Sequence, residues 1–422
     1  MYNMDILEKM EKNIDGILQE SIEFLSKMIE IPTENPPGTH YDDFALFFYK
    51  QLKMMGYDSR IMQVPENRVR QLAKMGTGSR PSIIGTKGNG KIKIAFNGHY
   101  DVVPAGEGWK YNPFKAKIEN GCIYGRGSSD MKGGIAMQLF AVKLLERVFP
   151  DIYSNLTIIQ TVVPDEETVG NKNAGTYFLV DQGIFSKENV DYVIYTEPLG
   201  SGNLCYGHRG GILLSVNVYG KKSHGSMAFL GKDSISFTSG LILHINEYIK
   251  KISEEKISAF NIIPDNAKRP SLVIGSLHCG TWANTVADKC NFTLFRRIIP
   301  EENLNDVRNE LMELFRSYQN DSGFKIKIDE YYATESVLEN TDKKHYSAFG
   351  ESIREVLKIN PGFVISPGTF DMRFTNVVGI PSLNYGPGIL EESHMNDEKL
   401  KIDDLRASII ITALGLYKLA MR

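Results

Sequence analysis

The chain has 422 residues, 42% of them hydrophobic and 23% charged, with a formal net charge of -3. It is long enough for two domains, since single cores rarely grow past ~250–300 residues, and its balance is that of a soluble globular protein. The slight negative charge argues against a nucleic-acid binder that neutralises phosphates, and no apolar run approaches the ~18–20 residues of a membrane span.

Ile6, Met10, Ile14, Ile17, Leu18, Ile22, Leu25 and Ile29 recur at helical spacing, so the chain opens on a long amphipathic helix. Asp5, Glu8 and Glu11 within that stretch are wrong for a signal peptide. Pro32, Pro36, Pro37 and Gly38 end the helix, and a second covers roughly Asp42 to Met55. The polar, basic segment from Pro65 to Arg80 reads as a loop insertion. Ile92 to Phe96, Leu156 to Val163 and Tyr192 to Tyr195 are short apolar runs typical of buried strands, with helices expected at Gly133 to Val148 and Ala174 to Asp181. That alternation predicts an α/β fold with a mixed, largely parallel sheet flanked by helices.

After Gly207 the pattern changes. A strand at Ile212 to Tyr219, a helix at Ser234 to Ile252, strands near Leu272 to Leu277 and Lys289 to Arg297, a helix near Asn303 to Tyr318 and a strand near Lys325 to Tyr331 follow in order. This β-α-β-β-α-β run predicts a small α+β sandwich inserted at about 207–332, between catalytic segments 1–206 and 333–422. The α/β pattern resumes from Lys343 and closes on a helix from about Asp403 to Met421. Cys122, Cys205, Cys279 and Cys290 are scattered, without a Cys-x-x-Cys pair, which suggests no disulfide framework and fits a reducing cytoplasm.

Candidate ligands stand just after predicted strands or in connecting loops, where ligands gather beyond the carboxyl ends of an open α/β sheet. His99 follows Ile92 to Phe96, and Asp101 two residues on can accept the imidazole's other N–H. Asp130 lies within the glycine-rich run Gly125 to Gly134, where a carboxylate either caps the next helix or bridges two cations. Asp165-Glu166-Glu167 follows Leu156 to Val163; Glu167 can bind metal while Glu166 shuttles a proton from activated water. Glu197 follows Tyr192 to Tyr195, and His394 follows Gly386-Pro387-Gly388. Taken singly, each has a plainer reading as a surface histidine, a cap or a solvated charge run. Together, His99, Asp130, Glu167, Glu197 and His394 are ligands of the type zinc accepts, enough for two ions that share Asp130.

In this order the motifs resemble the aminoacylase, carboxypeptidase-G and succinyl-diaminopimelate desuccinylase superfamily of dinuclear zinc hydrolases, which also holds acetylornithine deacetylase. The resemblance covers nearly the whole chain: His99-x-Asp101, Gly127 to Gly134, Asp165-Glu166-Glu167, Glu197-Pro198 and Ser393-His394. It implies a zinc exopeptidase-like catalytic domain with an inserted lid and dimerisation domain. It further implies His99 and Glu197 on one ion, Glu167 and His394 on the other, Asp130 between them, and a cis Asp130-Met131 peptide. Asp101 is implied as the orienting carboxylate and Glu166 as the general acid/base. Gly220 to Ser226 resembles the family's lid motif, whose His224 reaches the partner subunit's active site in a homodimer. Gly280 to Asp288, with Asn284, and then Arg297 resemble the substrate-carboxylate site, with the adjacent Arg296 as the alternative; Gly368-Thr369-Phe370-Asp371 resembles a substrate loop.

The implied activity is hydrolysis of an N-acyl amino acid, with a dipeptide or short peptide as the alternative. The implied cofactors are two Zn²⁺ ions, or Co²⁺ or Mn²⁺, in a cytoplasmic enzyme. The sequence departs from the family pattern at Met227 to Ser234, at His208-Arg209-Gly210 and at Pro65 to Arg80.

Overall fold

The computed structural model describes residues 5–73, 75–168, 170–320 and 322–422. The opening helix Ile6–Ile29 buries Met10, Ile14, Ile17, Leu25 and Ile29 along one stripe, and a second helix spans Tyr41–Met54. Helices Lys132–Val148 and Ile402–Ala420 are apolar on nearly every face, because they pack against each other and the first helix as well as the sheet. Among the described residues the main sheet has nine strands. Its centre runs Leu156–Val163, Ile92–His99, Tyr192–Tyr195 and Ser382–Asn384, all parallel. These strands are buried on both faces, which is why they read as continuous apolar runs rather than alternations.

Among the strands that the sequence does not announce are Asp58–Gln63 and Pro81–Lys87, paired antiparallel at one edge of the sheet. The outer one exposes five of its six residues in part or whole and buries only Ser59, so it carries no apolar signature. The Pro65 to Arg80 segment is not wholly a loop. It contains the helix Glu66–Leu72, whose Val69 and Leu72 pack with Val64, Ala73, Ala174 and Phe178; Lys74 lies outside the described residues.

A second sheet of four antiparallel strands runs in the order Ser271–Cys279, Lys289–Ile298, Gly210–Tyr219, Lys325–Thr334. Helices Ser234–Glu255 and Leu304–Gln319 cover one face over a core that includes Ile212, Leu214, Val216, Phe292, Leu294 and Leu311. Lys289–Ile298 alternates buried and less buried residues along its length, as a strand covered on one face should. Here the cysteine reading needs correction: Cys279 and Cys290 form a disulfide. They are direct cross-strand partners with Cα atoms 4.2 Å apart, a register that their spacing in sequence does not announce. Cys122 and Cys205 are free and buried. No helix among the described residues is long and apolar enough to cross a membrane.

Candidate metal centre

His99 is the last residue of its strand, Asp165-Glu166-Glu167 begins two residues beyond Leu156–Val163, and Glu197 stands two residues beyond Tyr192–Tyr195. Parallel pairing in register therefore brings these side chains to one end of the sheet. Close packing delivers the rest. Gly134 of the helix Lys132–Val148 and Gly386 both press on the Thr196 carbonyl, where a Cβ would come within 2.3 Å of its oxygen in each case. Only glycine permits that approach on both sides of the residue before Glu197. The Asp130-Met131 peptide is cis.

The two imidazoles face different oxygens of Asp130. His99 Nε2 lies 3.3 Å from Asp130 Oδ1 and 3.7 Å from Glu197 Oε1. His394 Nε2 lies 3.6 Å from Asp130 Oδ2 and 3.0 Å from Glu167 Oε1. One donor atom each from His99, Asp130 and Glu167 also falls within a mutual 4.8 Å. Such a set of nitrogen and carboxylate donors suits zinc, and its division about Asp130 gives two halves of one His and one Glu each. Burial makes the same point electrostatically. It pushes Glu166 well above the usual carboxylate range, raises Glu167, and takes Glu197 to about 7. The hydrogen bond to Glu167 raises His394 to about 9. Burial pulls His99 down, but Glu197, Asp130 and Asp101 outweigh it and hold the imidazole well above its ordinary value. Carboxylates that resist ionisation beside imidazoles that hold protons are short of positive charge, which divalent cations supply.

The neighbouring groups hold this arrangement in place. His99 Nδ1 is 2.9 Å from the backbone carbonyl of Asp101, while the Asp101 carboxylate stands 3.6 Å away. The orienting bond thus runs to the peptide rather than to the side chain expected for it. That carboxylate instead accepts the backbone N–H groups of Glu166 and Glu167 and the Asn35 amide. Asp165, the first acid of the trio, turns away in a left-handed backbone conformation to meet buried Arg80 at 2.9 Å. Asn384 grips the Glu197 backbone from both sides, accepting its N–H at 2.7 Å and donating to its carbonyl at 3.2 Å.

A cavity of about 240 Å³ opens over the centre, lined by Asp130, Glu166, Glu167, Glu197 and His394. Arg297, Arg373, Tyr332 and the loop with Gly368 and Thr369 line it as well. Arg297 donates to Thr369 Oγ1, whereas its neighbour Arg296 is sealed in an ion pair with Glu302 at 2.6 Å. Strand alternation separates the two arginines, and the cavity-facing one is Arg297. Arg373 and Tyr332, joined by a 2.8 Å hydrogen bond, were not singled out from sequence; Arg373 lies two residues past the Gly368 to Asp371 loop, which was the available signal. His224 and Asn284 do not line this cavity. Both are exposed, His224 bonded locally to Ser226 and the Asn284 carbonyl to the Gly225 N–H.

The chain is similar to known proteins over most of its length. Residues 95–416 match the family described as Peptidase family M20/M25/M40. A succinyl-diaminopimelate desuccinylase of Wigglesworthia glossinidia brevipalpis is 26% identical over 360 residues, 83% of this chain and 90% of its own. Among solved structures, a di-peptidase of Saccharomyces cerevisiae superposes with a TM-score of 0.78 at 17% identity, covering 99% of both chains. A dinuclear metal binding peptidase of Bacillus subtilis gives 0.63 at 14%, over 95% of this chain and 98% of its own.

Proposed function

The chain belongs to peptidase family M20/M25/M40 and is a metal-dependent hydrolase, and from that premise we propose that it removes the acyl group of an N-acyl amino acid. The observation that carries this is the division of the centre about Asp130, with buried Glu166 beside it in a cavity that Arg297 also lines. His99 and Glu197 would hold one divalent ion, Glu167 and His394 the other, with Asp130 shared; zinc fits the donors best. Two such ions polarise the amide carbonyl and lower the pKa of the attacking water.

Glu166 takes the proton from that water and returns it to the leaving amine, a role suited to a carboxylate whose burial raises its pKa. Arg297 binds the substrate carboxylate by a fork of donors. Among the described residues lining the cavity, every carboxylate belongs to the ligand set or is Glu166, whereas two arginines are present. That balance favours an acylated, anionic substrate over a dipeptide, whose free ammonium would have no separate anchor. The desuccinylase likeness in sequence points the same way. Residues 207–332 act as a lid and dimerisation element that brings His224 to the oxyanion of a second copy, in a cytoplasmic homodimer.

The test is a parallel panel of N-acetyl and N-succinyl amino acids and dipeptides with zinc- and cobalt-loaded protein. Turnover of an acylated amino acid, abolished by a chelator and restored by metal, is the expected result. Cleavage of dipeptides alone would replace the deacylase reading with the peptidase one.

A further inference from the structure

Glu398 is fully buried, four residues past His394, and its carboxylate is saturated with donors. Oε1 accepts the backbone N–H groups of Ser129 at 2.8 Å and Asp130 at 2.9 Å. Oε2 accepts the N–H of Gly127 at 3.0 Å and the Arg126 guanidinium at 2.8 Å. Arg126, itself buried, reaches on to the Met395 carbonyl at 3.2 Å and the His394 carbonyl at 3.5 Å. His394 has φ 62°, a left-handed conformation that a non-glycine residue keeps only where its surroundings fix it. One buried ion pair thus spans two loops more than 260 residues apart, the loop ending in Asp130 and the loop carrying His394.

We propose that Glu398 and Arg126 are positioning residues that set the distance between Asp130 and His394, and so govern the second metal position more strongly than the first, which also uses Asp130. This rests on the two-ion reading of the centre. The first position has its own supports: His99 ends a central strand and Asn384 holds the Glu197 backbone. In the second, Glu167 is fixed through Asp101, but the His394 side chain is 53% exposed and depends on its loop.

The experiment is a zinc titration against a chromophoric chelator, with cobalt absorption spectra at one and two equivalents, on wild type, Glu398→Gln and Arg126→Lys. An amide at 398 keeps the shape but turns a donor towards backbone N–H groups; lysine at 126 keeps the charge and loses the fork. The expected result is a second equivalent weakened about 10–100-fold in Glu398→Gln, less in Arg126→Lys, with the first equivalent affected several-fold less and the cobalt spectrum altered chiefly at the second equivalent. Two wild-type affinities in both variants, or equal weakening of both equivalents, would overturn the clamp. Should Glu398→Gln fail to melt cooperatively, Arg126→Lys decides alone. Fewer than two equivalents in wild type would instead overturn the two-ion reading, and the clamp with it.

Discussion

Around the nine-stranded sheet, polar groups near the cavity are buried and multiply bonded: Asp101 holds two backbone amides, Asp165 meets Arg80, and Glu398 accepts four donors. Over residues 210–334, the residues that sequence resemblance assigns to the reaction are handled differently. His224 and Asn284 stand at the surface, as do Phe229 and Trp282, and from the four-stranded sheet Phe295, Arg297 and Tyr332 reach the cavity. The difference is one of preorganisation. A metal centre must hold its donors within tenths of an ångström before substrate arrives, and a network of fully satisfied buried bonds does that. A residue that meets the substrate only on closure needs no such bonds while it waits, and exposure is compatible with that role.

This contrast is broken or sharpened by substitution on each side. The largest effect is expected at Glu166. Glu166→Gln should lower kcat by about 10²–10⁴-fold with both metal equivalents kept, since an amide cannot shuttle a proton. Steady-state kinetics with metal analysis checks this, and activity within a few-fold of wild type would remove Glu166 from the role. Next comes His224→Ala, expected to cost about 10²–10³-fold if the imidazole meets the oxyanion. Because His224 lies outside the cavity of its own chain, mixing Glu166→Ala subunits with His224→Ala subunits should recover up to about a quarter of wild-type activity. No recovery despite demonstrated subunit exchange would place His224 in cis or outside the reaction. Arg297→Lys should act more weakly, raising KM about 10–100-fold with kcat nearly unchanged, because the fork to a carboxylate is lost while the charge stays.

The same contrast explains what was legible in the sequence. Ligands announced themselves because each ends a strand or opens a loop, and Ile6–Ile29, Leu156–Val163 and Ser234–Glu255 announced themselves by period or by unbroken apolar character. The supports did not. A buried carboxylate such as Glu398 that accepts backbone N–H groups is written in sequence just as an exposed one is, and Glu391, Glu392, His394 and Asp397 stand in the seven residues before it. Asp101 had the right neighbourhood and a different task, since nothing local distinguishes a carboxylate that orients His99 from one that holds the amides of Glu166 and Glu167. Edge strand Asp58–Gln63 and the Cys279–Cys290 pair depend on register between segments, which periodicity within either segment cannot reveal.

The smallest effect separates the two regions by acid. His345 is buried in the larger body against the rings of Tyr192 and Tyr346, and burial pulls its pKa down to about 4; His208, the last residue of the strand Asn203–His208, is pulled to about 3. Over residues 210–334, by contrast, His224 and His278 are exposed. An unfolded chain protonates its histidines near ~6.5, so below that pH the unfolded state binds more protons than a native state with His345 neutral. The stability that neutral burial provides is therefore complete above ~6.5, is lost as pH falls towards about 4, and changes no further once both states are protonated. The slope through that window is about 1.4 kcal/mol per pH unit for one histidine. Buried carboxylates run the other way: Asp165 and Glu197, each raised by burial to about 7, destabilise the metal-free fold at high pH and offset part of the loss. Total stability is thus the wrong readout, and the difference between wild type and His345→Leu is the right one, because the carboxylates cancel in it. Urea unfolding of the metal-free protein followed by the fluorescence of Trp109, with Trp282→Phe in both backgrounds, reads the larger body alone. The wild type should lose ground to His345→Leu steadily from pH 6.5 to pH 4.5. A gap between wild type and His345→Leu that stays constant with pH would mean that the imidazole is protonated in the native state, and that the larger body does not exclude charge at that point.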